Sequence, residues 1–327
     1  MTKELGEFEI IQTYFSPLTI AEKGAFSLTD DAAVIELPSR KSLVVTTDTL
    51  VQGIHFLPKD APADIAAKLL RVSLSDLAAM GAIPAYYNLS VAINSPIDPS
   101  WFEEFTLGLL ADQKQYNIVL LGGDTVKTSG PITLTITAMG YIDKGKALLR
   151  GGAKSGDDIW VSGSVGDAAI GLKVANGELS GTSDVIKNFF LSRYLRPIPQ
   201  TLLGPALVDY VNSAVDISDG LIADLNHICQ TSNLGAEIRI DDIPLSKAAR
   251  DVLMNKPDYI ELVLSGGDDF ELLFTADKSF QERKEILTKT LDVNLTKIGT
   301  MVDGKSIKIF DNNGGLYSLP KFGFTHF

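Results

Sequence analysis

The sequence predicts a two-domain protein of mixed α and β structure, an α/β (α+β) chain, and three observations carry that reading. The chain has 327 residues, more than a single domain of ordinary size needs. Short apolar, β-branched runs recur in both halves and feed loops rich in Gly and Asp. Longer segments with apolar residues at helical spacing follow those loops. Hydrophobic residues make up 45% of the chain, enough to build cores and to exclude disorder.

Taken in order, residues 32–37 and 42–49 read as strands, the second running Ser42-Leu-Val-Val-Thr-Thr-Asp-Thr49. A helix is expected over 63–81, a strand over 85–93 and a helix over 100–116. A short strand at 118–121 and a long alternating strand at 131–142 complete the first half. The segment Asp143 to Asp158 is rich in Gly, Lys and Asp and reads as a linker, which divides the chain into domains 1–145 and 146–327. Beyond it, strands near 158–162, 214–217, 235–240 and 269–275 alternate with helices near 166–176, 199–212, 219–232 and 278–290.

Charge narrows the function. Asp and Glu number 41 against 29 Lys and Arg, a formal charge of −12, which repels phosphate backbones and anionic lipid. Nucleic acid and membrane surfaces are therefore not expected partners. No run is long and apolar enough for a span and no leader pattern is visible, so a cytoplasmic protein is expected. One cysteine, Cys229, excludes an intramolecular disulfide and a Cys-based zinc site, and His55, His227 and His326 are too scattered for a His-rich one. The acid surplus consists of 28 Asp and only 13 Glu. Turns and helix caps account for some of those short carboxylates, and metal binding is the sharper explanation for others.

Gly140-Tyr-Ile-Asp-Lys-Gly145-Lys146 fits the phosphate-binding G-x-x-x-x-G-K pattern, but Ala147 stands where Ser or Thr should hold magnesium, and the segment is rejected as a P-loop. Ser162-Gly-Ser-Val-Gly166, between a strand and a helix, is a better anion-binding turn, though an ordinary tight turn is the commoner explanation. The acidic elements share a stronger pattern. Thr46-Thr47-Asp48, Gly122-Gly123-Asp124, Asp216-Ile-Ser218-Asp219-Gly220, Gly266-Gly267-Asp268-Asp269 and Thr29-Asp30-Asp31 all lie where strands begin or end. Asp76 shares a helical stripe with Ile65, Leu69 and Val72. A carboxylate there needs hydrogen-bond partners, a salt bridge or a cation. Taken with the other carboxylates and without His or Cys, a hard divalent cation such as magnesium fits better. That chemistry favours phosphoryl over acyl transfer, whereas a glycosidase, which needs only two carboxylates, leaves the glycine-rich strand ends unexplained.

At this point the chain resembles the thiamine-monophosphate kinase family over nearly its whole length. The resemblance rests on Gly6-Glu-Phe, Asp30-Asp-Ala-Ala-Val, Thr47-Asp-Thr-Leu-Val-Gln-Gly-Ile-His55-Phe and Ser73-Leu-Ser-Asp76-Leu-Ala-Ala-Met-Gly-Ala-Ile-Pro. It continues through Gly122-Gly-Asp124-Thr, Arg150-Gly-Gly-Ala-Lys-Ser-Gly-Asp, Leu195-Arg-Pro, Asp216-Ile-Ser-Asp-Gly-Leu and Ser265-Gly-Gly-Asp-Asp-Phe-Glu-Leu. It implies transfer of the ATP γ-phosphate onto thiamine monophosphate, giving thiamine diphosphate. It implies a two-domain fold like aminoimidazole ribonucleotide synthetase, with N-terminal sheets pairing across a homodimer and a C-terminal α/β domain. Carried over by position, Asp30, Thr46, Thr47, Asp48, Asp76, Asp124, Asp216 and Asp219 are implied as magnesium ligands. Gly123, Asp124, Arg150 and Ser218 are implied as ATP contacts, and His55 and Asp268 as substrate contacts. The acceptor phosphate is already ionised, so no catalytic base is expected. Thr29 stands where the family usually has Gly, Asp268 where Glu is usual, and Lys321 where a substrate-contacting Trp is common, which leaves Phe322 or Phe324 to stack on the thiamine rings. Aminoimidazole ribonucleotide synthesis and a non-catalytic nucleotide sensor are the alternatives. Selenophosphate synthetase is disfavoured by the missing N-terminal reactive Cys, and the hydrogenase-maturation enzyme by the missing terminal one.

Overall fold

The computed structural model describes residues 6–29, 32–94, 98–320 and 323. The chain divides into two compact units, Met1–Leu77 with Ala82–Gly145, and Ala78–Gly81 with Lys146–Phe327.

The first unit opens with helix α1 (Glu7–Ile10) and irregular helical turns through Leu28. It continues with β1 (Lys41–Val51), α2 (Pro62–Ala79), β2 (Ile83–Ile93), α3 (Pro99–Tyr116), β3 (Val119–Lys127) and β4 (Thr133–Asp143). The strands form one sheet in the order β1-β4-β2-β3, antiparallel except for the parallel β2–β3 pair. The period of two divides its faces. Thr46, Asp48 and Leu50 of β1 stand opposite Ala138, Ile136 and Leu134 of β4, which are fully buried. Val45, Thr47 and Thr49 face the other way, opposite Met139, Thr137 and Thr135. Hydroxyl pairs join Thr47 to Thr137 at 3.0 Å and Thr49 to Thr135 at 2.8 Å across that outer face. Apolar side chains remain exposed there, Val45 at 54% and Ile83 at 57%.

Helix α2 covers the inner face. Leu69, Leu70, Leu74 and Leu77 are fully buried, so the helix is apolar nearly all round. It is tied to α3 by a two-pronged ion pair, Arg71 Nε to Asp112 Oδ2 at 2.8 Å and Nη2 to Oδ1 at 2.7 Å. Asp98 caps α3 by accepting from the Ser100 N–H, and Asn117 ends it in a left-handed turn.

The second unit contains β5 (Asp158–Ser162), α4 (Asp167–Ala175), α5 (Asp184–Leu195), α6 (Leu203–Leu207), β6 (Ser213–Asp216) and α7 (Leu221–Ser232). After these come β7 (Gly235–Arg239), α8 (Lys247–Asn255), α9 (Ile260–Ser265), β8 (Leu272–Ala276), α10 (Phe280–Leu291), β9 (Leu295–Val302) and β10 (Ile307–Phe310). Its sheet runs β10-β7-β9-β5-β8-β6, with β10–β7 the parallel pair among otherwise antiparallel neighbours. Both faces are covered, and the central strands show it residue by residue. Ile159 and Val161 pack with Leu221, Leu225 and Ile228 of α7, while Trp160 between them packs with Phe280 and Leu287 of α10.

The structure departs from expectation in several places. Residues 33–38 form no strand, and Val34 and Leu37 are exposed. The expected helix over 199–212 shrinks to Leu203–Leu207, in a segment interrupted by Pro199, Gly204 and Pro205. The strand expected at 118–121 extends to Lys127, while helices α5 and α8 and strands β9 and β10 were not foreseen. Gly140 lies inside β4, opposite Val44, so the G-x-x-x-x-G-K match belongs to a strand and its turn. No described helix is long and apolar enough to cross a membrane.

Candidate functional site

In the first unit, β1 and α2 meet through two hydroxyl–carboxylate pairs. The Ser73 hydroxyl, fully buried, donates to Asp48 Oδ2 at 2.7 Å. The Thr46 hydroxyl donates to Asp76 Oδ2. Spacing explains both: Thr46 and Asp48 share the inner face of β1, and Ser73 and Asp76 lie one helical turn apart on α2. Burial raises the Asp48 carboxyl above its ordinary value, and the Ser73 hydrogen bond pulls it partly back. An all-oxygen group with a carboxylate strained by desolvation is the donor chemistry that a hard cation would relieve. The Thr47 side chain is turned away from this group towards Thr137, so towards the inner face the residue offers only its main chain.

His55 sits in the turn that follows β1. Its Nδ1 accepts from the Val51 N–H at 3.0 Å, which places the proton of a neutral ring on Nε2. Its main-chain carbonyl accepts from Lys68 Nζ at 3.1 Å. Asp124 lies exposed on β3, opposite Ser90. With Gly122 and Gly123 it borders a cavity of about 150 Å³ whose wall is mostly apolar, from Phe15, Ala25 and Leu28 to Leu89. Gly123 owes its lack of a side chain to packing, because a Cβ there would fall 1.8 Å from the Leu89 carbonyl oxygen of β2. The wall contributed by the irregular N-terminal turns was missed from sequence, since that segment has no periodicity to read.

In the second unit, Asp216 ends β6 buried, and Ser218 and Asp219 follow in a half-exposed loop leading to α7. The Asp268 N–H donates to the Ser218 carbonyl at 2.9 Å, which locks the Gly266–Asp269 segment onto that loop. Asp268 adopts a left-handed φ of 71°. Gly323 reaches the same place, so near that a Cβ on it would meet Ala223 Cβ at 2.5 Å and the Asp219 carbonyl at 2.8 Å. Asp30, Phe322 and Phe324 lie outside the described residues. The Arg150 side chain is exposed, but its neighbours are anchored. The Leu149 carbonyl accepts from Ala214 N at 2.9 Å, and Ser232 Oγ accepts from Gly152 N and Ala153 N at 3.3 and 3.2 Å.

Three buried acids to which sequence reasoning gave no role organise this unit. Asp224 Oδ2 accepts from Ser218 N, Asp219 N and Gly220 N at 3.0, 3.1 and 3.1 Å. Burial and the neighbouring Asp219 charge push its carboxyl up to about 7 despite those bonds. Asp269 accepts from Gly166 N at 2.6 Å and Ala168 N at 3.2 Å, and burial, with Asp167 adding to it, pushes its carboxyl up to about 8. The Ser162–Gly166 turn is therefore already engaged, at the Gly166 N–H, by the protein's own Asp269 carboxyl group. Glu271, raised by burial, is held by Arg193 Nη2 at 2.8 Å, Ser162 Oγ at 2.6 Å and Gln200 Nε2 at 2.8 Å. Their signal in the sequence was faint: Asp224 stands one helical turn beyond Gly220, and Asp269 beside an acid already singled out.

The comparisons with known proteins agree with one another. Residues 29–142 match the model of the AIR synthase related protein N-terminal domain, and residues 154–312 match the corresponding C-terminal domain. The thiamine-monophosphate kinase of Escherichia coli K12 is 39% identical over 98% of this chain and 98% of its own length. The crystal structure of the thiamine-monophosphate kinase from Stenotrophomonas maltophilia K279a superposes with a TM-score of 0.81 at 41% identity, covering 89% of this chain and 91% of that one. AaThiL, solved in complex with AMPPCP and TMP, superposes at 0.79 with 30% identity over 100% of this chain and 99% of that one.

Proposed function

The chain belongs to the AIR synthase-related family as a thiamine-monophosphate kinase, an enzyme that phosphorylates thiamine monophosphate to thiamine diphosphate, and we propose that its paired oxygen ligands hold magnesium for direct, in-line transfer from ATP. In the first unit the proposed ligands are Asp30, Thr46, Asp48, Asp76 and Asp124, with Thr47 contributing through its main chain; in the second they are Asp216 and Asp219. The observation that carries this reading is the pairing of Ser73 with Asp48 and of Thr46 with Asp76 between β1 and α2. It presents oxygen donors held in fixed geometry, the donor type that a hard cation prefers. Magnesium bound there neutralises phosphate charge and aligns the reacting groups.

The chain's own residues do the rest. Gly123, Asp124, Ser218 and Arg150 contact ATP, and Arg150 offers a guanidinium fork on an anchored segment. His55 donates from Nε2 to the substrate, and Asp268 contacts it from the loop locked to Ser218. Phe322 or Phe324 stacks on the thiamine rings. The acceptor oxygen attacks the γ-phosphorus, the bond from that phosphorus to the bridging oxygen breaks, and ADP leaves. The acceptor is already ionised, so no residue is assigned as a base. Residues 1–145 form the ATP-, magnesium- and dimer-forming domain and residues 146–327 the second α/β domain. The outer face of the first sheet, with Val45 and Ile83 exposed, supports pairing with a second copy. A cytoplasmic setting suits the single buried cysteine.

The test is to incubate the protein with ATP, magnesium and thiamine monophosphate and to assay thiamine diphosphate and ADP in equal amounts. ATP binding without product would instead support a sensor.

A further inference from the structure

We propose that Asp224 is a positioning residue that shapes the Ser218–Asp219 loop by filling its amide nest, and so commits that loop to binding phosphate through its side chains and a cation rather than through its backbone. The inference rests on the ligand roles proposed above for Ser218 and Asp219. Three successive N–H groups, from Ser218, Asp219 and Gly220, converge on one oxygen at 3.0 to 3.1 Å. Such converging amides bind phosphate in many proteins. Here a carboxylate on the next turn of α7, 1% exposed, occupies them.

The loop is constrained from its other side as well. Gly220 has φ 131° and ψ 151°, a conformation open only to glycine, and a Cβ on it would fall 2.8 Å from the Ser265 carbonyl. The Ser218 carbonyl is taken by the Asp268 N–H. With these backbone groups engaged, the hydroxyl of Ser218 and the carboxylate of Asp219 are what the loop offers a ligand. Asp219 also keeps company with His227, one turn along α7 from Asp224, all three presenting ligand atoms within 4.8 Å of one another. Removing Asp224 would release the loop and uncover a backbone anion site.

The experiment compares the wild-type chain with Asp224→Ala and Asp224→Asn. Thermal shift is recorded with ATP alone, with ATP and magnesium, and with inorganic phosphate alone; turnover is recorded with magnesium and thiamine monophosphate varied separately. Asp224→Ala is expected to gain stabilisation from phosphate without magnesium, which the wild type lacks. Its magnesium requirement for half-maximal rate should rise about tenfold, the usual scale for losing a group that orients ligands, with KM for thiamine monophosphate within about twofold. Asp224→Asn keeps one acceptor oxygen and should fall between the two. If Asp224→Ala neither responds to phosphate nor needs more magnesium, the inference is overturned. If that variant does not fold, Asp224→Asn decides: an unchanged magnesium requirement overturns the inference and a raised one supports it. A wild type that shows no magnesium-dependent response to ATP would overturn the ligand roles instead, and the phosphate response of Asp224→Ala would still decide this one.

Discussion

Two pairs of acids, one pair in each unit, are held in opposite ways. In the first, Asp48 and Asp76 take hydrogen bonds from side-chain hydroxyls, Ser73 and Thr46. In the second, Asp224 and Asp269 take theirs from backbone N–H groups and are almost completely buried. A hydroxyl leaves its carboxylate other lone pairs and can itself turn towards a ligand. An amide ladder consumes the carboxylate and fixes the chain around it. The first arrangement suits a ligand and the second suits scaffold, and the same residue type serves both.

That contrast can be broken most directly at Asp76. Asp76→Asn is expected to lower kcat/KM by about a hundredfold or more if, as proposed, its charge helps to hold magnesium at the reacting phosphates, while circular dichroism and Tm stay near wild type. Near-normal turnover would place Asp76 with the scaffold.

A middle-sized effect should appear on the other side of the comparison, in pH dependence. Burial raises the Asp269 carboxyl to about 8, far above its value in an unfolded chain, so the folded state retains a proton that the unfolded state loses from about pH 4 upward. Stability should therefore fall as pH rises between those values, by up to about 1.4 kcal/mol per unit from this group, and level off above about 8. Asp269→Asn removes that slope at the cost of one amide partner. Urea unfolding of both proteins from pH 5 to 9 measures it, and parallel slopes would show that Asp269 does not titrate in this range.

The smallest effect is expected at Thr47→Val, with kcat/KM within about twofold of wild type, since the hydroxyl meets Thr137 on the outer face. A loss of tenfold or more would return the Thr47 side chain to the ligand set.

What was legible in the sequence follows the same division. Asp48, Asp124, Asp216 and Asp219 could be singled out because the sequence pattern put them near the ends of recognisable strands, although Asp48 and Asp124 lie within β1 and β3, and Asp76 because a helical stripe placed it among buried neighbours. Asp224 and Asp269 could not be sorted from them, because accepting backbone amides demands a position in space and has no required spacing in sequence. The paired glycines pointed to a special place for a partly different reason: at Gly123 the close neighbour is the Leu89 carbonyl of the adjoining strand. The alternation in β1 and β4 was clear enough to place both strands within a residue or two. Val34 and Leu37, by contrast, look like strand residues yet find no partner strand, and pairing is decided by tertiary context.

The alternation of β1 has a consequence for how this chain tolerates change in length. Thr46 and Asp48 face α2 while Val45, Thr47 and Thr49 face outward, and only the register against β4 keeps them apart. One residue inserted early in the strand, or deleted from it, would exchange the two faces, placing valine and threonine beneath Ser73 and setting carboxylate on the apolar outer surface. Composition, hydropathy and net charge would scarcely change, yet the strand would present the wrong half of itself. In this segment, the count of residues is as much a determinant of chemistry as their identity.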